Sequence, residues 1–249
     1  MSGLKRKPIG IFTDRVHTIP RRWSNRELEK YAHHFSGDIV NVSAWKDEDK
    51  EGNHYRDYFR NASSYHITNY VAEARGLQGT EGEIFLNLEG ELPDELKGRF
   101  DTVFNHTTLE HVFDVHAAFA NLCEMSRDCV ILVVPFLQQY HADYGDYWRM
   151  TPRLLDKLFE KHGLQTVHIS FNNHKQASVY IFAVAARQPE KYAPHFPDNW
   201  SVVDPTASGS EPFVGCFALA NRWFKSKRFL ESCAKLRFLR NRTAQNSSR

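Results

Sequence analysis

From Phe100 to Phe136 the apolar positions change period twice. Phe100 to Phe104 is a short β-branched and aromatic run. Val115, Ala118, Phe119, Leu122 and Met125 then recur at helical spacing, and CVILVVPF (Cys129 to Phe136) is a second apolar run. The pattern predicts strand, polar turn, helix, strand, hence a right-handed crossover between two parallel strands. The polar turn Asn105 to Glu110 falls at the carboxyl end of the first of these strands, where open α/β sheets bind ligands.

The same reading extends in both directions. Residues 1–22 are polar and basic, with Pro8 and Pro20, and predict an extended lead-in. Ser24 with Glu27 makes a capping box for a helix carrying Leu28, Tyr31, Ala32 and Phe35 and ending near Gly37. Asp38 to Val42 fits a buried parallel strand, and the charged loop SAWKDEDKEG (43–52) follows it. Tyr65 to Tyr70 and Glu83 to Leu88 are further strand candidates. Thr151 and Pro152 start a helix with Leu154, Leu155, Leu158 and Phe159 on its apolar face, stopped by Gly163. Leu164 to Phe171 and Ser178 to Ala186 flank the turn NNHKQA and predict a closing antiparallel hairpin. Five strands alternating with helices and then a hairpin make an α/β chain with a mostly parallel sheet and an antiparallel edge.

Beyond Arg187 the texture changes. Pro189, Pro194, Pro197, Pro205 and Pro212 predict a linker or wrapping arm, and Phe217 to Arg242 a basic helix with the single acid Glu231. The expected division is a domain over 1–187 with its lead-in and a 188–249 Pro-rich arm and helical tail. The tail is either a docked helix with solvated charges or a peripheral contact with anionic lipid; its apolar face is interrupted by Lys227 and Arg237, which favours docking.

Composition narrows the class. The chain of 249 residues is 41% apolar and 13% aromatic, enough for a substantial core and incompatible with a disordered chain. A net charge of +2 is too balanced to imply nucleic acid by itself, although the basic residues are unevenly placed, and no nucleic-acid partner is expected. Cys123, Cys129, Cys216 and Cys233 show no CxxC spacing and read as buried thiols of a reducing compartment. No apolar block of signal-peptide length follows Lys5, Arg6 and Lys7, and no run approaches the ~20 residues of a membrane span, so a cytoplasmic protein, at most peripheral to the inner face of a membrane, is expected. Among 13 histidines no His-x-x-x-His pair with a third ligand stands at zinc spacing, so no metal is expected. A homo-oligomer stays open.

FDTVFNHTTLEHV (100–112) and GDYWRMTPRLLDKLFEKHGL (145–164) resemble the class I S-adenosylmethionine-dependent methyltransferases, especially bacterial enzymes acting on small molecules and glycans, over roughly residues 25–187. The resemblance implies a three-layer, Rossmann-like, seven-stranded sheet and S-adenosyl-L-methionine as cofactor. It places Asn41, Ser43, Ala44 and Trp45 at the cofactor loop, Asn69 and Tyr70 at the ribose, Asn87 and Leu88 with Glu89 nearby at the adenine, and Asn105 and His106 at the methionine end. Two departures stand out. The cofactor loop has no glycine before Gly52, and its Trp45 either stacks on a ligand or plugs the cleft; Asn69 replaces an acid, accepting from a hydroxyl without charge assistance or serving only as a turn residue.

Transfer to a hydroxyl favours a general base, for which His106, His111 and His141 are the candidates, with His111 read foremost as a buried histidine bonded to backbone. Tyr144, Asp146, Tyr147 and Arg149 form an aromatic and ionic cluster suited to a polar or phosphorylated acceptor, while Trp148 reads as packing under the next helix. The expected function is methyl transfer to a small-molecule, glycan or lipid-linked acceptor in polysaccharide biosynthesis; the alternative is a binding or scaffold protein that keeps the fold without catalysis.

Overall fold

The computed structural model describes residues 3–71, 76–80, 82–141, 145–172 and 177–197. Tyr144, the tip of the NNHKQA turn, the arm beyond 197, the basic helix, Cys216 and Cys233 lie outside them. Seven strands form one sheet: β1 Gly37–Val42, β2 Ala62–Asn69, β3 Glu83–Phe85, β4 Phe100–His106, β5 Ser126–Leu137, β6 Gln165–Phe171 and β7 Val179–Ala186, in the order β3-β2-β1-β4-β5-β7-β6. β1 pairs in parallel with β2 and β4, β2 with β3, and β4 with β5, whereas β7 runs antiparallel to both β5 and β6. The strand order therefore reverses between β1 and β4, which opens a crevice at their carboxyl ends.

Period-2 burial sorts side chains to the two faces. Val130, Leu132 and Val134 of β5 pack with α2 (Val115–Met125) and α3 (Pro152–Lys161) on one side. Cys129, Ile131 and Val133 face the other side, with Leu28 and Ala32 at the end of helix α1 (Arg15–Tyr31), Tyr55, Tyr58 and Phe59. Both faces of β5 and β7 are covered, so their sequences are near-continuous apolar runs rather than alternating ones.

Three expectations change. The lead-in is not extended to residue 22: α1 begins at Arg15, capped by Asp14, whose Oδ1 accepts from Val16 N at 3.0 Å. Pro20 lies inside it, and Ser24 is an interior residue rather than a cap. Proline removes the donor that would have served the Val16 carbonyl, and Ser178 N from the edge of β7 takes that carbonyl at 3.2 Å. Secondly, among the described residues no α-helix stands between β1 and β4; a 3-10 turn, Tyr55–Asp57, lies between β1 and β2, and another, Asp94–Leu96, between β3 and β4. Thirdly, β3 ends at Phe85, so Asn87 and Leu88 sit beyond the strand.

Residues 189–196 pack back onto the sheet. Helix α4 (Pro189–Tyr192) buries Tyr192, whose hydroxyl donates to Asp128 Oδ2 at 2.9 Å, and Phe196 stacks on His168 with centroids 4.9 Å apart.

Candidate functional site

A cavity of about 330 Å³ lies at the β1/β4 reversal, within the roughly 300–1,000 Å³ usual for small-molecule sites. Its walls bring together Asn41 near the end of β1 with Ser43, Ala44 and Trp45 after it, Tyr70 after β2, Leu86 to Glu89 after β3, and His106 at the end of β4 with Thr107, Thr108, His111 and Val112 after it. Arg21 of α1, Glu48 and Tyr55 complete it.

The loop after β1 reaches a glycine-like course without glycine. Ser43, Trp45 and Asp47 have φ of 57°, 52° and 58°, in the left-handed region that costs an ordinary residue about 1–2 kcal/mol. Neighbouring polar groups hold this conformation. Ser43 N donates to Thr68 Oγ1 at 3.2 Å and Ala44 N to Thr68 O at 3.1 Å. Asp47 accepts from Asn41 Nδ2 at 2.8 Å, Tyr65 OH at 2.7 Å and Arg56 N at 3.1 Å. Burial pushes the Asp47 carboxyl up, and the Tyr65 and Asn41 bonds work against that. Farther on, Asp49 accepts from Tyr58 OH at 2.6 Å and Asn53 Nδ2 at 2.8 Å, which closes the acidic loop into a buried polar knot. Trp45 is among the residues that line the cavity, and Lys46 Nζ lies 5.2 Å from its ring centroid.

Asn69 belongs to that scaffold. Its Oδ1 accepts from Trp45 N at 2.6 Å, and its Nδ2 donates to Trp45 O at 3.0 Å and to Glu83. Its amide is committed to the loop and is not part of the cavity wall, so the carboxylates that do line the cavity are Glu48 and Glu89. Asn105 is also behind the wall: its Nδ2 donates to Val42 O at 2.9 Å, tying β4 to β1.

His106 Nε2 lies 2.9 Å from Ser24 Oγ, and Nδ1 lies 3.0 Å from Thr107 Oγ1. Ser24 Oγ donates to Arg21 O at 2.8 Å, so Nε2 carries the proton and donates to Ser24, and Nδ1 accepts from Thr107. Burial first, and the Arg21 charge second, hold this imidazole well below its usual value. It is a neutral group and a weak base.

His111 Nδ1 donates to Gly145 O at 2.6 Å, the backbone bond expected for it. His141 stands edge-on to His111 with centroids 4.9 Å apart, and its Nδ1 is 3.2 Å from Asp146 Oδ2. Burial lowers the His141 imidazole, and Asp146 opposes this. Asp146 and Arg149 are engaged with each other: Arg149 Nη2 donates to Asp146 Oδ2 at 2.7 Å, and the same guanidinium holds Gln138 O and Gln139 O at 3.2 Å each. They brace the loop after β5 and do not reach out to an acceptor. Tyr147 is about half exposed, edge-on to the exposed Phe113 at 5.4 Å. Trp148 packs against the core on the α2/α3 face and donates to Phe113 O at 3.2 Å.

Sequence reasoning missed Arg21, Glu48, Tyr55, Thr107 and Thr108. Arg21 comes from the stretch read as lead-in, and Tyr55 lies between the charged loop 43–52 and the next strand candidate, where no element was assigned, so nothing local marked them.

No protein-family model and no curated protein sequence matches this chain. Among solved structures, a Bacillus halodurans protein assigned as a methyltransferase superposes with a TM-score of 0.50 at 10% identity, covering 65% of this chain and 97% of its own. The fold is that of the class I methyltransferases. Two further solved structures are less similar. The 1,6-didemethyltoxoflavin N1-methyltransferase of Burkholderia thailandensis, solved with 1,6-didemethyltoxoflavin and S-adenosylhomocysteine, has a TM-score of 0.47 at 15% identity and covers 68% of this chain and 79% of its own. The magnesium protoporphyrin IX methyltransferase of Synechocystis, solved with S-adenosylmethionine, has a TM-score of 0.45 at 10% identity and covers 69% and 80%. Among the described residues no helix is long and apolar enough to cross a membrane.

Proposed function

We propose that the chain is an S-adenosylmethionine-dependent methyltransferase acting on a hydroxyl of a small-molecule, glycan or lipid-linked acceptor. The observation that carries this reading is the cavity at the β1/β4 reversal, in which Ser43, Ala44 and Trp45, apolar Leu86 and Leu88, the acids Glu48 and Glu89 and the cation Arg21 converge. These are the groups a nucleoside with an amino-acid tail requires. In this reading Leu86 and Leu88 flank the adenine and the Trp45 indole stacks on the nucleoside. Glu48 accepts from the ribose hydroxyls in place of the committed Asn69, and Arg21 pairs with the methionine carboxylate.

Transfer forms an oxygen–carbon bond as the carbon–sulfur bond breaks, and the electron pair stays on sulfur. The chain's own part is positioning the two reactants in line and receiving the acceptor's proton. Thr107 lines the cavity and donates to His106 Nδ1, so a hydroxyl proton passes to His106 through Thr107. In this reading the exposed pair Tyr147 and Phe113, the latter next in sequence to the cavity residue Val112, receives the acceptor.

Titration calorimetry with S-adenosylmethionine and its demethylated product tests the reading. The expected result is micromolar binding that Arg21→Gln weakens by about tenfold, the order of one charge-assisted hydrogen bond. Absence of heat at high micromolar ligand, with the fold intact, would favour the scaffold alternative motivated by the glycine-free loop. For the base, His106→Gln is expected to lower methyl transfer far more than cofactor affinity.

A further inference from the structure

Glu110 and His111 are neighbours on the turn after β4, and His141 comes from the loop after β5, thirty residues on. The fold gathers one donor atom from each within 4.8 Å of the others. The expectation of no metal rested on sequence spacing, and spacing carries no information about donors brought together by two different strands. Zinc–nitrogen and zinc–oxygen bonds of about 2.0–2.1 Å ask tetrahedral donors to stand about 3.4 Å apart, so closure needs side-chain adjustment of roughly an ångström.

Three features make this more than a chance cluster. His111 Nδ1 donates to the Gly145 carbonyl, which fixes the tautomer and leaves Nε2 as the basic nitrogen, on the side of Glu110 Oε1 at 3.8 Å. Asp146 lies behind His141: its Oδ2 accepts from the His141 backbone N at 2.9 Å and stands 3.2 Å from Nδ1, which also has Gln138 Nε2 at 3.2 Å, and the Asp146 side chain is itself buried and held by Arg149. A carboxylate or carbonyl behind each imidazole is the arrangement that orients metal-binding histidines and raises their basicity. Finally, Glu110 is 2% exposed, and its Oε2 has no hydrogen-bond partner among the described residues. A buried carboxylate oxygen left without a partner costs about 1–3 kcal/mol or more unless something satisfies it.

We propose that Glu110, His111 and His141 form a binding site for a divalent transition metal of the zinc class, with a further coordination position open on the side where His111 lines the cavity. Two imidazoles and one carboxylate suit zinc or ferrous iron and not magnesium, which prefers oxygen ligands throughout. The charge of Arg149 is paired with Asp146. Three protein ligands and an open position are the arrangement of a catalytic rather than a structural ion. The site stands on its own residues; its use, which rests on the methyltransferase reading, is to bind the acceptor's oxygen and ease its deprotonation by a base as weak as His106.

The test uses the full chain, stripped with chelator and titrated with Co²⁺ by visible absorption and with Zn²⁺ by calorimetry. One ion per chain is expected, with d–d bands of low-coordinate Co²⁺ that Zn²⁺ abolishes. Glu110→Gln and His141→Asn should each weaken binding at least tenfold, and Asp146→Asn by about 10- to 100-fold through the loss of orientation at His141. Because Glu110 is buried, its variant could fail to fold; the wild-type spectrum then decides, and no d–d band at millimolar Co²⁺ overturns the site. Binding undiminished in His141→Asn overturns it too, assigning the ion to other histidines or cysteines. Calorimetry with S-adenosylmethionine on the same stripped protein separates the two readings: cofactor binding without metal binding removes the metal site alone, and the converse removes the cofactor.

Discussion

Left-handed backbone at Ser43, Trp45 and Asp47 is a conformation that glycine adopts without penalty and that other residues adopt only when neighbours enforce it. Here the enforcement comes from Asn69, which binds both the N–H and the C=O of Trp45, and from Thr68 at Ser43 and Ala44. Two substitutions should therefore behave against the usual expectation. Ser43→Gly, ordinarily destabilising, should be neutral or raise unfolding stability by up to about 1 kcal/mol, because the strain it relieves offsets the greater freedom of the unfolded chain. Asn69→Ala should lower stability by about 1–3 kcal/mol, since the Trp45 peptide loses both partners. Urea unfolding of the two variants checks this. A loss of cofactor affinity in Asn69→Ala with unchanged stability would instead restore a direct ribose contact to Asn69.

At the level of elements, α1 shows how a tertiary contact overrides a local signal. The Val16 carbonyl freed by Pro20 is already satisfied by Ser178 N, so Pro20→Ala restores a donor whose acceptor is occupied. A proline in a helix interior ordinarily costs about 3 kcal/mol; removing this one should change stability by less than about 1 kcal/mol in denaturant unfolding. A gain near 3 kcal/mol would mean that the Ser178 contact does not compensate. The same contact explains what could be read in advance. α2, Val115–Met125, and the Thr151 cap of α3 were legible because their apolar spacing and caps are local properties. The start of α1 was not, because the partner that makes Pro20 tolerable lies over 150 residues away. The site divides likewise: the loops after β1, β3 and β4 follow from strand order. Asn69 and the Asp146–Arg149 pair carry the residue types of a binding site, yet their side chains are spent on the scaffold. Glu110, His111 and His141 meet only through the β4/β5 pairing.

On the scale of the whole molecule, His168 of β6 is where three parts of the chain close on the sheet. Tyr31 of α1 lies 5.2 Å from its ring centroid, Phe196 of the arm stacks on it at 4.9 Å, and Phe182 of β7 stands edge-on at 6.2 Å. Neither ring nitrogen has a hydrogen-bond partner among the described residues. Burial lowers this imidazole from 6.5 to about 4, with Glu27 opposing and Lys30 adding to the shift. The folded state thus holds the neutral ring. Its contribution is complete above pH 6.5, where the unfolded chain is also neutral, and is lost as pH falls towards 4 and the unfolded chain gains a proton that the fold refuses. The gap between 6.5 and about 4 corresponds to roughly 3 kcal/mol. Burial also depresses His106 and acts in the same direction, whereas the raised carboxyls of Asp47 and Glu110 act oppositely, because the fold favours their protonated forms. The net acid slope therefore mixes signs, and a difference between two proteins isolates one group. His168→Phe keeps an aromatic ring in the stack and removes the titrating nitrogens. Between pH 7 and pH 4 the wild type should lose stability relative to this variant by an amount approaching 3 kcal/mol, read from urea midpoints at each pH. Parallel curves for the two proteins would mean that acid opens the arm and lets water reach His168 before its burial is felt.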